Sequence, residues 1–251
     1  MSAMMGSEGQ YNGHFFVDIP EGLSFLGSNL LDPFSGELER PLRQVYISSF
    51  QMSRYPTTVA QFHAFLVEAS PKVRFPFSGK AWDRRVEERP DYPVTNVSWE
   101  TASHYCAWLS ERSGRCIALP TEAEWEKAAR GGDDRIWPWG DEFEAGKCNS
   151  AESGDDFCPV TDFPEGASPY GCLHMSGGVW EWCEDFHHSF SHRQSEFVDP
   201  VNLVPAPRRV VKGGSAFCTK EIVRPACRDW TNSFNQGGGD DGFRICIRDW
   251  R

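Results

Sequence analysis

The sequence predicts an α+β domain with few short helices, a small antiparallel sheet and a high share of loop. Three observations lead there. The 251 residues include 23 glycines, 17 prolines and 10 tryptophans, a composition of irregular segments held by aromatic packing. Helical periodicity occurs in three short stretches, each with its own start signal. Period-two alternation recurs in pieces too short for a large sheet.

Residues 1–17 are polar and glycine-bearing and read as a flexible N-terminal arm, leaving 18–251 as one domain. Residues 22–27 (GLSFLG) and 42–50 (LRQVYISSF) alternate as strands and are expected to pair antiparallel. In residues 57–67 (TTVAQFHAFLV), Thr57 or Thr58 caps a helix that places Val59, Phe62, Phe65 and Leu66 on one face. Ser98 caps a second helix with the apolar stripe Ala102, Tyr105, Cys106, Trp108 and Leu109, which makes Cys106 a core thiol. Thr121 and Glu124 form a capping box for a third helix, which Gly131 and Gly132 end. Beyond it the chain reads as turns and short strands. The run Trp180-Glu181-Trp182 reads as core architecture, its two indoles on opposite faces of a strand.

Charge and hydropathy narrow the partners. A formal charge of -11 argues against nucleic acid and anionic membranes, which both require a basic face. Mean hydropathy is -0.50, and no run approaches the ~18 apolar residues of a membrane span. Cations, basic peptides and neutral ligands remain open, a protein or a small polar ligand among them. The first residues lack a basic and then apolar leader pattern, so the expected location is cytoplasmic, or the chain begins after a removed leader. Nine cysteines in no paired framework read as reduced thiols.

Two clusters carry candidate chemistry. The stretch VVKGGSAFC (210–218) runs β-branched residues into a Gly-Gly pair and then a thiol, Cys218, either reactive or simply packed. Cys183, His187, His188 and His192 lie within ten residues and invite a zinc or iron reading, but C-x3-H-H-x3-H is no standard site; a surface loop with titrating imidazoles is the plainer account.

Longer motifs add a resemblance. LPTEAEWEKAARGG (119–132), WPWGDEF (137–143), YGCLHMSGGVWEWCEDF (170–186), RVVKGGSAFC (209–218) and DDGFRIC (240–246) occur in the order found in the formylglycine-generating enzyme family, also called sulfatase-modifying factors. The resemblance covers residues 18–251 and implies a C-type-lectin-like fold. Such families include copper-dependent oxidases that convert a sulfatase cysteine to formylglycine, the C-terminal domain of iron-dependent sulfoxide synthases, inactive paralogues, modules fused to signalling proteins, and ligand-display proteins diversified by retroelements. The fold therefore does not fix the activity.

The copper oxidases hold Cu(I) with two cysteines, soft ligands for a soft ion. Cys218 matches the first, Val223 stands at the second, and the next cysteine is Cys227. Copper is thus disfavoured, with Cys218 and Cys227 as the alternative pair. The resemblance also implies calcium. Asn149, Ser150, Asp155 or Asp156, and Phe157 match the first calcium loop, through side-chain and carbonyl oxygens, against the plainer reading of a solvated acidic turn. The second loop maps onto His174, Gly177, Val179 and Glu181, but His174 replaces an Asp or Asn and Gly178 an Asn, which weakens it. In lectin-like folds the last segment lines the ligand face, here Arg224, Arg228, Trp230, Asn232, Phe234 and Asn235. Arg228 and Arg244 are equally readable as structural, paired with carboxylates such as Asp229 or Asp241. The expected function is a ligand- or protein-binding module on this scaffold. The alternatives are a copper- or thiol-dependent oxidase acting on a cysteine-containing substrate, and an auxiliary domain of an iron-dependent oxidase.

Overall fold

A computed structural model describes residues 12–69, 79–154, 156–189, 196–232 and 239–249; for 230–232 it describes the backbone. The chain enters as strand β1 (Phe16–Ile19), so regular structure begins within the stretch expected to be an arm. Phe16 is buried because it joins the main core cluster, and His14 just before it is 2% exposed.

Strands β2 (Gly22–Leu26) and β3 (Arg43–Ile47) pair antiparallel as expected, from Gly22 opposite Ile47 to Leu26 opposite Arg43. The single strand expected over 42–50 breaks in two. Ser48 donates both its amide and its hydroxyl to the Asp199 carboxylate, at 2.7 Å each, and β4 (Phe50–Ser53) continues into another sheet.

Three helices start where their caps are written. In α1 (Val59–Ala69), Thr58 and Gln61 satisfy each other's backbone amides, a capping box with Gln in the acidic place. Val59, Phe62 and Phe65 are buried. Ser98 accepts from Thr101 N at the start of α3 (Trp99–Ser113), whose Ala102, Tyr105, Cys106 and Leu109 enter the core. Thr121 and Glu124 close both bonds of the box on α4 (Glu122–Arg130), and Gly131 leaves it at φ 79°. A helix the sequence reading passed over, α2 (Lys80–Glu88), has no side-chain cap. It is anchored through Trp82, 5% exposed, whose indole N–H donates to His63.

Among the described residues three sheets hold these helices. The first has the order β1-β4-β10-β5, with β5 Ile117–Ala118 and β10 Cys246–Ile247; β2 and β3 form the second. The third, β8-β7-β6-β9, joins β6 (Trp180–Phe186), β7 (Arg208–Lys212), β8 (Arg228–Asn232) and β9 (Asp241–Gly242). All pairings are antiparallel except β6 with β9. Trp180 and Trp182 do not lie on opposite faces. Two residues apart on β6 they share one, both in the core cluster of α1 and α3, while Glu181 turns the other way to Trp125.

The second core cluster surrounds α4, all nine of whose residues are buried. Its charges survive burial because each meets a partner. Glu122 receives Arg228 at 2.8 and 2.9 Å, and Glu124 receives Arg248 at 2.8 and 2.6 Å. Glu126 receives Lys212 at 3.0 Å, Arg130 at 2.7 Å and the Gly27 amide at 2.8 Å. Lys127 donates to the carbonyls of Pro20, Gly22 and Ile47. The helix thus ties the N-terminal strands to the C-terminal ones.

Candidate functional site around Cys218

Strand β7 delivers the chain into Gly213 and Gly214, at φ 95° and 71°. A Cβ on Gly213 would stand 3.0 Å from the Trp125 ring, and one on Gly214 2.8 Å from Val223 Cγ1 and 3.0 Å from its Cα. Both conformation and space therefore demand glycine. The pair turns the chain so that Ser215 and Cys218 follow in a tight bend, the Cys218 amide donating to Ser215 O at 3.0 Å. The Cys218 thiol is half-buried and lies 3.5 Å from the Ser215 hydroxyl.

Val223, at the position of the second copper cysteine, is fully buried against Gly214. Cys227 belongs to the core cluster, and burial pushes its thiol up to about 12, so it is a thiol and not a thiolate at neutral pH. Cys218 packs against the edge of that same cluster. All cysteines are free, as expected for reduced thiols.

The fold brings the first calcium-like loop beside Cys218, a proximity the spacing does not reveal. The Cys218 carbonyl accepts from Ala151 N at 2.9 Å, Lys220 N donates to Glu152 at 2.9 Å, and the Phe157 and Phe217 rings meet edge to face at 5.2 Å. Within the loop, Asn149 is buried, donating its amide to Asp156 O and accepting from Gly178 N. The Ser150 carbonyl takes three donors, the Ser153 and Gly154 amides and the Ser153 hydroxyl. The Asp156 carboxylate turns outward to Arg89, at 3.0 and 3.4 Å, and that pairing holds its pKa below the usual carboxylate range. Asp155 lies outside the described residues. Of the described donors, the Ser150 carbonyl and the Asp156 carboxylate already have protein partners, whereas a calcium ion needs free oxygens.

The second loop fits less well. Both oxygens of Glu181 are taken, one by Trp125 at 2.7 Å and Arg244 Nε at 2.6 Å, the other by Arg244 Nη2 at 2.9 Å. Gly177 N donates to Gly213 O, and Val179 is buried. His174 stands at φ 55° with its ring in the space beside Gly178, where an added Cβ would meet Nδ1 at 2.9 Å. Burial, and then the Arg244 charge, lower that imidazole to about 4, so it is neutral. Among the described residues no three His, Cys, Asp or Glu side chains gather as a metal site; Cys183 and His187 are buried, and His192 lies outside the description.

The expectation that Arg224 and Arg228 face a ligand gives way to structural roles. Arg224 is 1% exposed and joins Asp32 and Glu39 while donating to the Phe34 and Glu221 carbonyls. Arg228 pairs with Glu122 and Arg244 with Glu181. Trp230 and Asn232 lie on β8, their side chains outside the description, as are Phe234 and Asn235 entirely. The large apolar side chains left exposed near Cys218 are Phe217, at 52%, and Ile222, at 38%. Their only sequence signal is an apolar residue in a turn, which is common on surfaces.

Comparison with known proteins agrees with this architecture. The model of the sulfatase-modifying factor enzyme 1-like domain matches residues 2–249. The formylglycine-generating enzyme of Bos taurus is 31% identical over 290 residues, covering 93% of this chain and 74% of that protein. Among solved structures, PvdO from Pseudomonas aeruginosa superposes with a TM-score of 0.82 at 23% identity, covering 94% of this chain and 95% of that one. Treponema denticola variable protein 1 gives 0.73 at 22% identity, with 94% and 95% covered. Sequence motifs, match and fold together place the chain in the formylglycine-generating enzyme, or sulfatase-modifying factor, family.

Proposed function

We propose that this protein is a ligand- or protein-binding module on the formylglycine-generating-enzyme scaffold, its binding face near the C-terminal segment around Cys218. The observation that supports it most is Val223. A copper oxidase needs a second thiolate beside Cys218, and the side chain there is a buried valine wedged on Gly214. Cys227 is a poor replacement, since its burial disfavours the thiolate. The exposed Phe217 and Ile222 with the Phe157 ring supply apolar contact, and the backbone around them is held by the loop at residues 149–157.

The test is a Cu(I) titration of the reduced protein, paired with Cys218→Ser and Cys227→Ser variants and with partner capture on immobilised protein. The binding reading expects no stoichiometric copper, partner binding unchanged in Cys218→Ser, and binding reduced at least tenfold in Phe217→Asp. Tight Cu(I) binding lost in both cysteine variants would replace it with the oxidase reading.

A further inference from the structure

A second concave region lies away from the Cys218 face. It is a cavity of about 430 Å³, within the range of small-molecule sites, ~300–1,000 Å³. The entry to β1, the first turn of α1, the turn at residues 90–91 and the loop at 160–161 build its wall. Nothing in the Cys218 region contributes to it.

Polar side chains in this wall include Asn12, His14, Thr58, Gln61, Asp91 and Thr161. His14 is 2% exposed, and its Nε2 lies 2.7 Å from the Tyr105 hydroxyl, which also accepts from Asn12 Nδ2 at 3.0 Å. That hydroxyl has one proton of its own to donate, and among the described residues Nε2 is the acceptor in reach. Burial keeps the imidazole neutral, with its pKa lowered to about 3. Its single proton then sits on Nδ1, an N–H donor that meets no protein acceptor among the described residues. That N–H opens onto the cavity, where water or a ligand oxygen accepts it.

The charge in the wall has one sign. Asp91 is the charged residue lining the cavity, and its exposed carboxylate has no protein partner among the described residues, although its carbonyl accepts from Val160 N at 3.0 Å. Phe15 and Tyr55 meet edge to face at 6.4 Å, and Pro90 and Val160 supply further apolar surface. Arg54 stacks over Tyr55 at 5.6 Å but is not part of the wall. An apolar body, a cation for the carboxylate and aromatic rings, and an acceptor for the imidazole N–H are the complements of this wall.

The geometry points to a binding site for a small amphipathic primary amine that also carries a hydroxyl or carbonyl oxygen. Asp91 takes the ammonium group, His14 Nδ1 donates to the oxygen, and Phe15, Tyr55 and Val160 enclose the apolar part. A carboxylate ligand without an amine is disfavoured by Asp91.

Phenylalaninol is the probe, with N-acetylphenylalaninol, which lacks the charge, and phenethylamine, which lacks the oxygen, as its controls. Calorimetric titration at pH 7 is expected to show saturable binding of phenylalaninol and at least tenfold weaker binding of both controls. Asp91→Asn, a surface change, should weaken phenylalaninol at least tenfold. Ala60→Phe, which fills the cavity from the exposed first turn of α1, should abolish binding without lowering the thermal midpoint. Cys218→Ser should leave it unchanged, which separates this site from the proposed binding face. Absence of saturable binding to the unaltered protein, or equal affinity for the acetylated probe or in Asp91→Asn, would overturn the assignment.

Discussion

Helices α3 and α4 are both capped, both enter the core, and are held by different physics. In α3 an apolar stripe of Ala102, Tyr105, Cys106 and Leu109 buries itself against α1 and Phe243, and its charged residues Glu100, Glu111 and Arg112 face outward. In α4 the sequence EAEWEKAAR is mostly charged, yet every residue is inside. What stabilises α3 is area removed from water; what allows α4 to be central is that Arg228, Arg248, Lys212 and Arg130 meet its glutamates. Burial is therefore a property of partners as much as of side chains.

Matched substitutions put that contrast under its hardest strain. Glu126→Met keeps length and adds hydrophobicity but takes the nearest carboxylate from Lys212, leaving it Glu122 at 3.5 Å, and leaves Arg130 with the Gly27 carbonyl; it is expected to cost about 3 kcal/mol in urea unfolding. Leu109→Met, an equally mild change of shape in α3, should cost less than about 1.5 kcal/mol. Equal tolerance of both would show that the α4 ion pairs contribute no more than packing does.

The pH dependence separates the two kinds of burial further. His14, packed near α3, is held neutral at about 3, so its contribution to stability is full above pH 6.5 and is lost as pH falls toward 3. Asp185, at the N-terminus of α4, is raised to about 7 by burial and then by the Glu122 charge. Its folded state holds a proton that the unfolded state releases above about pH 4, so this group favours folding on acidification from 7 to 4. The two effects oppose one another between pH 6.5 and 4. Asp185→Asn is expected to steepen the fall of the thermal midpoint over that range, whereas a shallower fall would contradict the assignment.

The smallest expected effect is at the caps. Ser98→Ala removes the bonds of its hydroxyl to the Thr101 amide and hydroxyl at the α3 start, for a loss of about 1 kcal/mol. Thr121→Ala on α4 also opens the reciprocal box, and because Glu124 then loses its orientation toward Arg248 the loss should exceed that of Ser98→Ala in the same denaturation assay.

Much of the scaffold is legible along the chain because it rests on local rules. Thr58, Ser98 and Thr121 announce three helices within four residues of their starts, and alternation announces β2 and β3. The unread helix α2 lacks the cap signal, being placed by Trp82 against α1. The break at Ser48 needed Asp199, and the indole pair of β6 needed the period of two applied strictly.

The candidate site was less legible. Its thiol, its Gly-Gly turn and the absent partner at Val223 stand in one linear stretch, and the motif order carries the family. Which carboxylate meets Arg228 or Arg244 is a different kind of fact: Glu122 lies 106 positions from one and Glu181 63 from the other, too far for spacing to rank them against the nearby Asp229 and Asp241. The same holds for the loop at residues 149–157 against Cys218, and for the wall shared by His14, Tyr55 and Asp91. Sequence alone determined the caps, the alternations and the family motifs, because hydrogen bonds within a turn and side-chain periodicity depend on near neighbours. Tertiary structure alone decided which charges neutralise one another and which surfaces stay open, because those depend on distances that only closing the chain creates.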